Sequence, residues 1–262
     1  MSEFLFTVLV FAVFLAVLFV IYNNISVVKN YKVKTDKPCP TLKIVLVSDF
    51  HNNKRLSDGL IRKIRDCAPD IIVVAGDLVD RRKPDFKTAA HFLNSLRSVA
   101  NVYYVTGNHE AVLDRERVTE ELDCADILLD EQYKIFDGYS ILGLSDSIIK
   151  ADEKRRDLIT VFERLDNYKI AIVHRPTEFS SGLSLRDHDI DLVLCGHTHG
   201  GLIRIPFFGA VVAPDEGLFP KYSKGRYIEN GTAMIVSGGA GNTFLPLRLN
   251  NFPQIVCISI EN

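Results

Sequence analysis

The segment LVLCGHTHGG, residues 192–201, joins a short apolar run to two histidines on a glycine-flanked turn. Four consecutive apolar residues predict a buried strand. His197 and His199 follow at its carboxyl end, where a loop can carry chemistry without disturbing the core. The segment raises the question of whether other strands end in the same way.

Five more apolar runs have this form, each ended by small or polar residues. They are LKIVLVSD (42–49), DIIVVAGD (70–77), NVYYVTGN (101–108), YSILGLSD (139–146) and YKIAIVH (168–174). Helical patterns lie between several of them, at 56–67, 84–99, 114–125 and 152–165. This alternation predicts an α/β fold with helices on a largely parallel sheet. The last third, with GLIRIPFFGAVVAP, TAMIVSGGAG and QIVCISI, predicts antiparallel strands and a mixed or second sheet.

Residues that can bind a metal stand at the ends of five of the six predicted strands. They are Asp49, His51, Asp77, Asn108, His109, His174, His197 and His199. Any one of them has an ordinary alternative, because a lone histidine is usually a surface or hydrogen-bonded residue and a strand-terminal aspartate is often a helix cap. Ligands collect at the carboxyl ends of strands in α/β sheets, so we expect these side chains to converge.

The set of donors indicates the kind of metal. Oxygen and nitrogen ligands without thiolate favour Mn²⁺, Fe²⁺ or Zn²⁺. Leaving His109 aside, the seven remaining side chains are too many for one ion and suit two, with Asp77 as a candidate bridge. Two such ions can activate a hydroxide and polarise a phosphate ester, which is hydrolytic chemistry.

Five motifs together resemble the calcineurin-like metallophosphoesterase family. They are SDFH (48–51), GDLVD (76–80), GNHE (107–110), His174 and GHTHGG (196–201). The resemblance implies a four-layer αββα sandwich with two central mixed sheets. It also implies that Asp49, His51, Asp77 and His199 bind one metal and that Asp77, Asn108, His174 and His197 bind the other. His109 would protonate the leaving group or stabilise the phosphoryl transition state, and Asp80 would orient and charge its imidazole.

Within this family the chain resembles a membrane-associated bacterial branch, some members of which are hydrolases of UDP-2,3-diacylglucosamine in lipid A synthesis. The chain departs from that branch at Leu202, at Arg175 and in the turn SGGAG (237–241). These departures leave the metal motifs intact and concern the substrate pocket. Arg204, Arg248 and the loop GAGNTFLPLRL (239–249) are candidates for contacts to a substrate phosphate or head group, and an ordinary surface role for Arg248 is the alternative.

The first residues differ from the rest of the chain. Residues 4–22 contain no charge, and 19 residues at a helical rise of about 1.5 Å give about 28 Å, close to the thickness of a bilayer core. A cleaved signal peptide is the alternative, but no basic residue precedes the run and no small-x-small site follows it. We therefore expect a transmembrane anchor at 1–25, a linker at 26–41 and a metallophosphoesterase domain at 42–262. Lys29, Lys32, Lys34 and Lys37 follow the run, which predicts a catalytic domain on the cytoplasmic side.

Composition and charge limit the other kinds of partner and site that the protein can have. The net charge is −2 and the soluble part has no dense basic run, so nothing supports a nucleic-acid partner. Five scattered cysteines without a C-x-x-C pair indicate neither disulfides nor a thiolate zinc site. The sequence predicts a membrane-anchored dinuclear-metal phosphoesterase, with a lipid-linked ester or pyrophosphate as a candidate substrate. A phosphodiesterase for soluble diesters or cyclic nucleotides and a metal-binding interaction scaffold are the alternatives.

Overall fold

A computed structural model describes residues 2–146, 153–242 and 248–262. Its five α-helices are α1 (Ser2–Asn24), α2 (Lys54–Cys67), α3 (Phe86–Arg97), α4 (Arg115–Leu122) and α5 (Glu153–Glu163). Its first seven strands are β1 (Val27–Lys34), β2 (Leu42–Val47), β3 (Ile71–Ala75), β4 (Asn101–Val105), β5 (Gln132–Phe136), β6 (Tyr139–Leu144) and β7 (Tyr168–Val173). The other seven are β8 (Leu192–Cys195), β9 (Ile203–Ile205), β10 (Gly209–Ala213), β11 (Gly217–Leu218), β12 (Gly225–Glu229), β13 (Thr232–Val236) and β14 (Gln254–Glu261).

Two mixed sheets form the centre of the domain. The first has the order β1-β14-β2-β3-β4, and the second has the order β12-β13-β8-β7-β6-β5. In the first, β2, β3 and β4 run parallel; in the second, β6, β7, β8 and β13 do. A small antiparallel sheet, β11-β10-β9, follows β8.

Three hydrophobic clusters show how the layers pack. The side chains between the two sheets include Ile44, Leu46 and Ile170. Helices α2, α3 and α4 cover the other face of the first sheet, where the rings of Phe50 and Phe92 stack with centroids 3.9 Å apart. Helix α5 and the segment after β7 cover the second sheet. The predicted four-layer αββα sandwich is confirmed.

All six strands predicted from apolar runs are present, and the four strands that the sequence did not indicate, β11 among them, are edge strands. β1, β5 and β12 each lie at the margin of a sheet. An edge strand has fewer buried positions and keeps polar residues facing water, so its sequence lacks a continuous apolar run. In β1, which reads VVKNYKVK, only Val33 is buried.

Strand β1 corrects the expected linker at 26–41. All of its residues pair in parallel register with β14, from Val27 opposite Gln254 to Lys34 opposite Glu261. Helix α1 is therefore separated from the first sheet by only two residues, Ile25 and Ser26. The domain includes this strand and does not begin at residue 42.

Helix α1 confirms the predicted apolar helix. The helix Glu3–Asn24 is long and apolar enough to cross a membrane, with a mean hydropathy of 3.2 over the best window, none of which is buried.

The last turn of α1 contacts the domain. The ring of Tyr22 packs on that of Phe252, with centroids 4.6 Å apart, and Asn23 Oδ1 accepts a hydrogen bond from the backbone N–H of Arg248 at 3.3 Å.

We predict that β1 is required for a stable domain. A chain beginning at Lys37 should have a free energy of unfolding at least about 3 kcal/mol below that of a chain beginning at Ser26, because it loses the β1 ladder and exposes the apolar strand β14 as an edge. Urea unfolding followed by circular dichroism measures the difference. Both chains lack α1, so equal unfolding midpoints would show that β1 contributes nothing.

Candidate metal centre

The predicted ligands converge where the carboxyl ends of strands from the two sheets meet. Asp49 and His51 follow β2, Asp77 follows β3, and Asn108 and His109 follow β4. His174 follows β7, and His197 and His199 follow β8. The side chains line a central cleft of about 220 Å³ or lie directly behind it. The structure thus brings together all the residues that the sequence singled out at strand ends.

The first group of donors consists of Asp49, His51, Asp77 and His199. His51 Nε2 lies 3.1 Å from His199 Nε2 and 3.6 Å from Asp77 Oδ2. His199 Nε2 lies 3.6 Å from Asp49 Oδ1. Ligand atoms about 2.1 Å from one ion lie roughly 3.0–3.4 Å apart, so these separations are close to those of a coordination shell.

The second group consists of Asp77, Asn108, His174 and His197. His174 Nε2 lies 3.3 Å from Asp77 Oδ2, 3.0 Å from Asn108 Oδ1 and 3.2 Å from His197 Nδ1. His197 Nδ1 also lies 3.0 Å from Asn108 Oδ1. Asp77 Oδ2 faces both groups, so this carboxylate occupies the position of a bridging ligand.

Three of the four histidines in the two groups are neutral, which leaves a ring nitrogen with a lone pair that can bind a metal. Burial lowers the pKa of His51 to about 4, and burial together with neighbouring cationic groups holds the pKa values of His197 and His199 well below the usual range. His174 differs, because the charge and hydrogen bond of Asp77 outweigh its burial and raise its pKa to about 10. Its Nδ1 donates to the carbonyl oxygen of Ala75 at 2.8 Å, which directs Nε2 at Asp77. The donor set fits a pair of divalent cations, which would compete with the proton at this nitrogen.

The backbone around the donors is strained. Asp49, His51, Asp77, His197 and His199 all have φ between 47° and 71°. This left-handed region is uncommon for residues other than glycine, and such strain concentrates at functional sites. The site also requires glycine at position 107, because a Cβ there would collide with the Asp77 carboxylate.

His109 lies beside the two groups rather than within them. Its Nδ1 accepts a hydrogen bond from the backbone N–H of Arg81 at 3.1 Å, and its Nε2 lies 4.0 Å from Asp77 Oδ2. The ring nitrogen that faces the cleft is therefore the one that carries the proton in the neutral ring. Asp80 Oδ1 is 3.5 Å from Nδ1 and instead accepts the backbone N–H of Arg82 at 2.9 Å. The N–H of Arg81, rather than Asp80, orients this imidazole, and Asp80 acts on it through charge alone.

The two arginines proposed as substrate contacts have structural roles. Arg248 is buried and donates to the carbonyl oxygens of His199, Gly238 and Gly241 at 3.2, 2.9 and 2.6 Å. Arg204 donates to the carbonyl oxygen of Gly200 at 2.6 Å. Their donors hold the glycine turns behind the cleft, and the burial of Arg248 corrects the interpretation of this residue as an ordinary surface charge. Substrate contact by either arginine stays a prediction. Of the loop 239–249, residues 243–247 lie outside the described part of the chain.

A different arginine is better placed to meet an anion. Arg175 lies in a second cavity of about 380 Å³, which we call the arginine cavity and which shares Asn108 and His174 with the metal centre. Arg175 Nε donates to Asp146 Oδ2 at 2.7 Å, and its Nη1 lies 2.9 Å from His197 Nε2. Arg81 lines both this cavity and the central cleft. The sequence signalled Arg175 only as an unusual residue after His174.

Glu110 is a further residue whose role the sequence did not show. Its buried carboxylate accepts backbone N–H groups from Asp77 and Gly107, both at 2.9 Å, and from Val79 at 2.8 Å. It therefore ties the loop after β3 to the loop after β4. The only sequence signal was its position at the end of GNHE.

We predict that Glu110→Gln lowers the free energy of unfolding by about 2–4 kcal/mol, because the amide NH₂ cannot accept one of these three buried N–H groups. Metal affinity should fall as well, since the loop that carries Asp77 loses its support. Urea unfolding and metal titration measure the two effects. Glu120→Gln, on the exposed face of α4, is the matched control. If both variants unfold at the same urea concentration, Glu110 does not hold the loops.

Comparisons with known proteins agree with this geometry. The model of the calcineurin-like phosphoesterase family matches residues 42–201. An uncharacterized metallophosphoesterase of Helicobacter pylori is 31% identical over 84% of this chain, and a transmembrane protein with a metallophosphoesterase domain from Bos taurus is 30% identical over 84%. The aligned part spans 60% and 53% of those two proteins.

Among solved structures, TT1561 of Thermus thermophilus superposes with a TM-score of 0.52 at 15% identity, covering 76% of this chain and 90% of that one. At this identity the likeness concerns the fold alone. The family match, which covers more than half of the residues and includes every motif of the metal centre, is the decisive finding: the chain belongs to the calcineurin-like phosphoesterase family.

Proposed function

We propose that the protein is a phosphoesterase that works with two divalent metal ions. The observation that carries the proposal is the Asp77 carboxylate, whose Oδ2 lies 3.6 Å from His51 and 3.3 Å from His174, between two sets of donors. In this assignment the first group would hold one ion and the second group would hold the other, as defined above. The ions, of a kind such as Mn²⁺, Fe²⁺ or Zn²⁺, would supply an activated hydroxide and neutralise charge on the phosphoryl oxygens.

His109 would supply a hydrogen-bond donor to this reaction. Because the Arg81 N–H occupies Nδ1, the Nε2–H of the ring points into the cleft and can donate to a phosphoryl or leaving-group oxygen. Burial lowers the pKa of His109, which favours the neutral ring with a single donor. The geometry thus supports a hydrogen-bonding role in the transition state, one of the two roles expected from the family resemblance.

Substitutions should separate metal binding from catalysis. We expect His109→Ala to lower turnover by about 10²- to 10⁴-fold while two metals remain bound, because a donor is lost but no ligand. Asp77→Ala should lose metal, because both groups share this carboxylate. Metal content by mass spectrometry and hydrolysis of bis-p-nitrophenyl phosphate measure the outcomes.

The chain offers matched controls for both substitutions. His91 lies on the exposed face of α3 and Asp58 on that of α2, so His91→Ala and Asp58→Ala should retain metal and activity. Equal metal loss in the His109 and Asp77 variants would overturn the role assigned to His109.

We further propose that α1 anchors the protein in a membrane and that the substrate is lipid-linked. Phe19, in the last turns of α1, and His51 line the same cavity of about 340 Å³, which we call the helix-side cavity. A molecule whose tail lies in the bilayer beside α1 would therefore find the metal centre at the end of this cavity. The lysines after α1 favour a cytoplasmic catalytic domain, and the transmembrane relative from Bos taurus supports an anchored arrangement.

A substrate panel distinguishes the lipid-linked class from soluble esters. The full chain in vesicles, stripped of metal and resupplied with Mn²⁺, would be offered p-nitrophenyl phosphate, bis-p-nitrophenyl phosphate and UDP-2,3-diacylglucosamine. We expect the highest kcat/KM on the lipid-linked substrate, because the anchor confines enzyme and substrate to one surface. The chain beginning at Ser26 should lose this preference and keep its activity on soluble diesters.

Each other outcome points to a specific alternative. Activity on soluble diesters without any on the lipid-linked substrate would favour a phosphodiesterase for small diesters or cyclic nucleotides. Two bound metals without turnover of any substrate would favour a metal-binding scaffold.

A further inference from the structure

The small sheet β11-β10-β9 exposes large apolar side chains at one end. Phe207, Phe208, Leu218 and Phe219 are between 68% and 106% exposed, which is close to full solvent contact. We call this set the aromatic end. Scattered apolar residues are normal on a protein surface, but a cluster of this kind marks an interaction site.

The strand register places the three phenylalanines toward one end of the small sheet. Phe207 and Phe208 form the turn between β9 and β10, where Ile205 pairs with Gly209. Leu218 pairs with Val212, and the backbone N–H of Phe219 donates to the carbonyl oxygen of Val211 at 2.9 Å. Phe219 therefore lies toward the same end as the β9–β10 turn. The opposite end carries Pro214 and Asp215, which line the central cleft.

Turn geometry does not account for these aromatic residues. Phe207 has a φ of 68° and Phe219 a φ of 50°. A bulky residue in this left-handed region is strained, whereas glycine or asparagine adopts it readily. The turns would form more easily with glycine or asparagine. The backbone conformation therefore does not explain the phenylalanines, which points to a role for their side chains.

The aromatic end lies near the point where α1 meets the domain. Asn23, at the end of α1, contacts Arg248, and the next residue, Leu249, is paired with Ile203 of β9. From Ile203 to Phe207 the chain advances four residues, which is about 13 Å at the rise of a strand. This is less than a third of the roughly 45 Å across a compact domain of this size, so the aromatic end lies near the end of α1.

We propose that the aromatic end inserts into the interfacial region of the bilayer that α1 crosses. This inference rests on the membrane anchor of the proposed function and extends it to a second, separate contact with lipid. Uncharged phenylalanines on a tight hairpin suit the boundary between head groups and acyl chains. Because the other end of the same sheet lines the cleft, this contact sets the angle at which the metal centre faces the membrane.

Tryptophan fluorescence tests the contact directly, since the chain contains no tryptophan. Phe207→Trp and Phe219→Trp would each be made in the full chain and reconstituted in vesicles of phosphatidylcholine with a minor share of phosphatidylglycerol. Lipids brominated near the head-group end of the acyl chain are the quencher. We expect both probes to be quenched far more strongly than a probe in water, because an interfacial side chain lies at the depth of the bromine atoms. Val161→Trp, on the exposed side of α5, should lose little.

Phe14→Trp, within α1, separates failure of this inference from failure of the anchor. If Phe14→Trp is quenched by lipids brominated deeper in the chain and the probes at 207 and 219 are not quenched, the anchor stands and the docking surface is overturned. If none of the three is quenched, both proposals are wrong. Quenching at 207 and 219 without quenching at 14 would support the docking surface and remove the anchor.

A second set of variants shows whether the aromatic side chains act together. Phe207→Asn combined with Phe208→Asn suits the turn and should leave thermal unfolding unchanged or slightly improved. The same pair of changes should reduce the quenching of Phe219→Trp, because the hairpin then lacks its apolar tip. Undiminished quenching would show that Phe219 reaches lipid without its neighbours and would contradict a shared surface.

Discussion

The buried carboxylate of Asp77 is the group around which the rest of the site is arranged. A charge removed from water costs several kcal/mol unless it is paired and fully hydrogen-bonded. Here Oδ1 accepts the backbone N–H of His109 at 2.9 Å, while Oδ2 faces the rings of His51 and His174. Despite burial, the charge and hydrogen bond of His174 hold the pKa of Asp77 well below its usual range. The loops after β3, β4 and β7 must therefore meet at this point, which explains why the two sheets pack with their carboxyl ends together.

This arrangement depends on a rigid core beneath it. Five of the seven proposed ligands have left-handed backbone conformations, each of which costs about 1–3 kcal/mol, and such strain persists only where the surrounding structure fixes it. The buried strands β2, β3, β7 and β8 supply that constraint, and Glu110 extends it by fixing the loops after β3 and β4. The geometry of the metal centre therefore depends on the stability of the sandwich.

The sequence predicted those parts of the structure whose signal is local. Central strands are buried on both faces, so they appear as apolar runs, and their ends fall where the ligands stand. The edge strands β1, β5, β11 and β12 lacked that signal because at most one residue in each is buried. Arg248 was misjudged for a different reason. A charged residue after a loop looks exposed, and only its contacts with the carbonyl oxygens of His199, Gly238 and Gly241 show that it is buried. Hydrogen bonds between residues that are distant in the sequence cannot be predicted from the local sequence pattern.

The pairing of β1 with β14 bears on how the proposed anchor would act on the site. A flexible linker would let the domain rotate freely beneath the membrane, and the anchor would then raise only the local concentration of substrate. Instead α1 continues almost directly into a strand of the first sheet, and Asn23 contacts Arg248, which in turn donates to the carbonyl oxygen of His199. The end of α1 is therefore connected to a proposed metal ligand through two side chains. If α1 anchors the chain as proposed, this restricted orientation would keep the helix-side cavity facing the bilayer, and a lipid-linked ester would reach the metal centre without leaving the membrane surface.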